Sequence, residues 1–144
     1  MTAALALSAT SAQPGLRLVD GADLLAVQAA VNAINNPAPV AIAASGAVSP
    51  SSAQTYVITK AGVAALTLAA PVAGKISAGG NDGVSITIIS TTANAHTITA
   101  TGIMNNGSTS VNVATFAAYP GASIDLVAYN AQWYVIGATA ITFS

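Results

Sequence analysis

One histidine, His96, is the sequence's natural candidate for proton transfer near neutral pH, so catalysis would have to be organised around it. Its possible partners are few: Asp20, Asp23, Asp82 and Asp125 are the only acids, there is no Glu, and there is no Cys. A Ser/His/Asp set can be written from any chain that contains these residues, and no spacing here selects one. The expectation is a histidine at a strand end, bonded to backbone or water, and no catalytic residue. A zinc site needs several His, Cys or acidic ligands, which are missing. The stretch GGNDG (79–83) looks superficially like a calcium loop. One carboxylate does not furnish the six to eight oxygens such an ion takes, whereas Gly, Asn and Asp suit a tight turn. No glycine-rich loop is followed by a lysine, and no GxGxxG opens a helix, so phosphate-binding motifs are absent. The sequence therefore predicts no enzyme, no metal and no cofactor.

The remaining side chains that could recognise a ligand are aromatic: Tyr119, Tyr129, Trp133 and Tyr134. Together on a surface they would make a sugar platform. Alternation along SIDLVAYNAQWYVIG (123–137) instead puts Trp133 and Val135 on one face of a strand and Tyr134 and Ile136 on the other. That pattern suits a strand buried on both sides or at a subunit contact. Trp133, Val135 and Tyr129 are accordingly expected in a β-domain core or a contact between subunits.

The elements that must position these residues are mostly strands. From residue 40 onward, segments with period-two alternation of Val, Ile, Thr and aromatics fall at 55–60, 65–70, 84–90, 96–101, 111–116, 123–129, 132–137 and 140–143. Between them lie AGGNDG, TANA, MNNGS and YPGA, all turn chemistry. Short strands at even spacing predict a mainly β fold, an antiparallel β-sandwich or jelly-roll-like domain over 40–144, with no strong internal repeat.

Before that domain, 1–39 divides into an extended arm (1–19) and one helix over about 21–35. Asp20 suits the N-cap, Asp23 the first turn, and Asn35-Asn36 with Pro37 and Pro39 stop it. Leu24, Val27, Val31 and Ile34 are spaced three, four, three, which is a heptad seam. A helix this short is marginal alone in water, so it must dock, either on its own β domain or on copies of itself. Two heptads are too few to decide between those by spacing.

Composition narrows the partners. Charged residues are 5% of the chain, net charge is −1, and 34 of 144 residues are Ala. Three cations, Arg17, Lys60 and Lys75, cannot form the basic stripe that nucleic acid requires. No apolar run approaches the ~20 residues of a membrane span. The opening MTAALALSATSAQP lacks the basic n-region of a secretory signal and has a short apolar run. A polar but nearly uncharged surface risks association, which points to an oligomer.

SIDLVAYNAQWYVIG, with its acid-bearing strand, Asn-centred turn and W-Y-V, resembles β domains of tailed-phage virion proteins. ISAGGNDGVSITIISTTANAHTITAT (76–101) is similar to the companion hairpin of such domains, and LVDGADLLAVQAAVNAINN (18–36) to the helix that precedes them. The resemblance spans roughly residues 17–137 and is shared by capsid decoration (cement or head-fibre) proteins and some tail-fibre knobs. It implies a homotrimer with Leu24, Val27, Val31 and Ile34 at the trimer interface. It further implies binding to the major capsid protein on the outer surface of the virion head, without nucleic acid or membrane. The alternative it allows is a trimeric tail or fibre component that recognises host-surface glycans.

Overall fold

The computed structural model describes residues 21–35, 37–50, 52–107 and 110–144. The expected arm (1–19) and the Asp20 cap lie outside these residues. The chain divides into two units, Met1–Pro37 and Ala38–Ser144, close to the boundary read from the prolines.

In the first unit, helix α1 runs Gly21–Asn35 with Asp23 in its first turn, where the helix dipole favours an acid. In the second, ten strands follow: β1 (Val40–Ile42), β2 (Gly46–Val48), β3 (Gln54–Ile58), β4 (Ala65–Leu68), β5 (Ser85–Ser90), β6 (Thr97–Asn105), β7 (Ser110–Phe116), β8 (Ser123–Tyr129), β9 (Gln132–Thr139) and β10 (Ile141–Phe143). The fold is mainly β, as expected.

The pairing corrects the expectation of a wholly antiparallel domain. Strands alternate between two layers, and each pairs in parallel with the strand two positions on: β1 with β3, β3 with β5, β2 with β4, and β4 with β6. Three coils are thereby stacked, β1–β2, β3–β4 and β5–β6. In the register, Tyr56 lies beside Ile88 and Leu66 beside Ile98, each pair 32 residues apart. The domain thus contains a structural repeat that its sequence conceals. Antiparallel strands close one end of the stack: β8 and β9 follow β5 in one layer, β7 and β10 follow β6 in the other. A short parallel contact, Met104 and Asn105 of β6 beside Trp133 and Tyr134 of β9, joins the layers along one side.

Alternation makes the core. Ile58, Ile86, Ile88, Ile124 and Leu126 from one layer meet Leu66, Leu68, Ile98, Ala114 and Phe116 from the other in a single buried cluster. Each large side chain removed from water contributes about 1.5–3 kcal/mol. The connections between layers are also bonded coil to coil. Thr59 N–H donates to Ile42 O at 2.9 Å, and Thr91, one coil on, donates both its N–H (3.1 Å) and its hydroxyl (2.9 Å) to Ile58 O. Stacked threonines thus satisfy the carbonyls at which each strand ends.

Candidate functional surfaces

His96 ends the third coil's connecting loop, one residue before β6, and is fully buried. Its Nδ1 accepts the Ala64 N–H at 2.9 Å, which makes Nε2 the protonated nitrogen, donating to Thr92 Oγ1 at 2.8 Å. The ring meets Phe116 edge-on, with centroids 6.4 Å apart. Nδ1 holds the second coil to the third and Nε2 braces the third coil's own loop, so neither nitrogen is offered to a substrate. Burial, assisted by the Lys60 ammonium, pushes the imidazole pKa below its ordinary value. Protonation would also set an N–H against the Ala64 N–H.

The sign of the pH effect follows. The unfolded chain takes up a proton near pH 6.5 and the folded chain only at lower pH, so folded stability falls as pH drops below about 6.5. The slope is at most about 1.4 kcal/mol per pH unit, the limit for one proton. Urea midpoints measured between pH 7.5 and 5 are expected to decline for the natural chain and to stay nearly flat for His96→Asn. In that variant the amide oxygen can still accept the Ala64 N–H.

The GGNDG segment works as a turn. Asn81 Oδ1 accepts the Val72 N–H at 2.7 Å and Asp82 Oδ1 accepts the Asn130 N–H at 2.8 Å, so the acid ties this loop to the β8–β9 hairpin. Asp125 accepts the Thr87 hydroxyl at 2.6 Å across β5 and β8. Among the described residues, no three His, Cys, Asp or Glu stand close enough together to hold a metal.

Trp133 is fully buried and its indole N–H donates to Ala69 O at 2.9 Å, anchoring the hairpin to the chain that leaves β4. Val135 is half-buried against the same core. Tyr129 is not in the core: it is 61% exposed and sits where β8 turns into β9. The turn itself is as read, two residues with Asn130 at φ 47° and Ala131 at φ 60°, the geometry of a type I′ hairpin. Tyr134 lies opposite Val127 and Tyr129 opposite Gln132, so alternation places these four on the outward face of the hairpin.

On α1, the seam is unburied. Leu24 (61%), Val27 (60%) and Val31 (47%) are exposed, and Leu25 more so. The side chain of Ile34 lies outside the described residues. Three apolar side chains in register on one short helix, open to water, call for a partner.

A second unpartnered region escaped the sequence reading. Among the described residues, the first coil leaves β1 and β2 with one free edge each, since β1 pairs only with β3 and β2 only with β4. Beneath them is a shallow concavity of about 340 Å³ lined by Val40, Ala44, Val48, Tyr56 and Leu66 among others. Burial at its floor raises the Tyr56 hydroxyl above the ordinary tyrosine pKa. One signal was available: no charged residue occurs from Leu24 to Thr59. Edge strands are ordinarily blunted by charge, a bulge or short length, and among these β1 and β2 have the last, at three residues each.

Comparison with known proteins finds no matching family model and no matching curated sequence. No helix among the described residues is long and apolar enough to cross a membrane.

Proposed function

We propose that this chain is a structural virion protein, a decoration (cement) protein that binds the outside of an assembled tailed-phage capsid as a homotrimer. The observation that carries the reading is the exposed seam Leu24, Val27, Val31 on a helix attached to a nearly uncharged β domain. Such a helix is stable only when covered, and copies of itself cover a heptad seam. The resemblance of 18–36, 76–101 and 123–137 to virion β domains supplies the place of action. The chemistry-bearing residues support a building part, because His96 and Trp133 are spent inside the fold. The mechanism is linkage: a trimer that binds the assembled shell and not its separated subunits stabilises the shell by mass action. At a hundredfold excess over the dissociation constant, that amounts to about 2.7 kcal/mol per site.

Purified protein added to capsids that lack it is expected to co-sediment saturably and to raise the temperature at which the heads rupture. Absence of saturable binding sinks the proposal.

A second reading has its own observation. Tyr129, Gln132 and Tyr134 share an outward face, and paired aromatics beside an amide suit a sugar ring. A tail or fibre component that recognises host glycans would bind a glycan array and ignore heads, so the two assays separate the readings.

A further inference from the structure

We infer that the open end of the coil stack is where the β domains of neighbouring copies meet, closing against one another about the threefold axis. The inference rests on the trimeric reading above and adds to it a second contact surface.

Four features point there. The two ends of the stack differ: antiparallel strands cover the third coil, and nothing covers the first among the described residues. The strands of the free end are also uncharged. VAIAASGAV (40–48) has no ionisable side chain, and one cation stands at its bend, Lys60, whose ammonium donates to Ser45 Oγ at 3.0 Å and to Val63 O at 2.7 Å. A partner there would meet mostly small apolar side chains and open strand edges, which the strands of a neighbouring copy can match.

Symmetry is the third feature. A threefold contact is heterologous, placing one patch of each copy against a different patch of the next. The open coil offers two different edges side by side, β1 and β2. Covalent reach is the last. From Asn35, the end of α1, to Val40, the start of β1, the chain takes five Cα steps, at most about 18 Å. Helices joined at a common seam therefore tether three β1 strands near one axis.

The absence of cysteine makes the test clean. Ala44, exposed at the bend of the first coil, is replaced in A44C; Ala118, exposed between β7 and β8 beyond the covered end, is replaced in the control A118C. Both are exposed and are checked for folding by circular dichroism. Under mild oxidation of dilute trimer, A44C is expected to give covalent dimers at least ten times faster than A118C, at a rate independent of protein concentration. Trimers in which A44C links no faster than A118C overturn the inference and leave the trimeric reading standing. Monomers by sedimentation remove both. Hydrogen exchange supplies a second measurement. Amides of 40–48 are expected to exchange at least tenfold more slowly in the natural trimer than in a Val27→Asp/Val31→Asp monomer, and equal rates overturn the inference.

Discussion

The double substitution Val27→Asp/Val31→Asp is expected to convert a sedimenting trimer into a monomer and to abolish measurable capsid binding. In the proposed seam each helix would carry two carboxylates into an apolar junction, six in a trimer. An unpaired carboxylate cannot be taken out of water without several kcal/mol of desolvation or an upward shift of its pKa. The apolar contribution of the two valines, about 1.5–3 kcal/mol each, is lost as well. A trimer engages a capsid through three linked contacts, and separating them removes an advantage of roughly 10²–10⁴ in apparent affinity. The substitutions fall in the unit Met1–Pro37, outside the β domain. Far-ultraviolet dichroism of the strands should therefore stay close to that of the natural chain. A variant that remains trimeric refutes the seam.

The second large effect belongs to Trp133→Ala. The side chain is fully buried among residues of both layers, in a core whose other large members are aliphatic apart from Phe116 and His96. Removing a buried aromatic of this size costs about 3–5 kcal/mol. The variant also leaves Ala69 O without its donor, which adds about 1 kcal/mol or more. Against the 5–15 kcal/mol that typically separates folded from unfolded domains, the loss is expected to leave the β domain partly unfolded at 37 °C. Urea titration followed by dichroism measures it, because the natural chain's only Trp fluorophore has been removed. Trp133→Phe keeps most of the packing and loses the hydrogen bond, so it should fall between the two. A midpoint unchanged in Trp133→Ala would exclude the anchoring role.

The contrast between these sites shows what the sequence made legible. Helix α1 was bounded by Asn35-Asn36 and Pro37, because end signals are local and chemical. The hairpin Tyr129–Gln132 was readable for the same reason, as was the buried Trp133, but the strand expected to be buried on both sides or at a subunit contact leaves Tyr134 and Ile136 exposed on its other face. Parallel pairing was not readable, since alternation specifies a strand and its two faces but not its neighbour. The repeat was hidden by substitution within a class: Tyr56-Val57-Ile58 and Ile88-Ile89-Ser90 occupy equivalent places with little identity. It was hidden also by unequal loops, for the first coil turns within three residues, 43–45, where the second uses six, 59–64. Strands as short as β1 and β2, three residues each, carry too little alternation to be seen. The first coil was thereby missed, and with it the open end.

The concealed stacking of coils also orders events in time. The β8–β9 hairpin closes through a two-residue turn, whereas pairing β3 with β5 brings together residues 32 positions apart. Loop-closure entropy makes the second step roughly 2 kcal/mol more demanding. On this ground the hairpin is expected to form before β3 and β5 pair. A growing chain leaving the ribosome presents these pieces in the opposite order, with β1 and β2 emerging before their partners β3 and β4 and well before the hairpin.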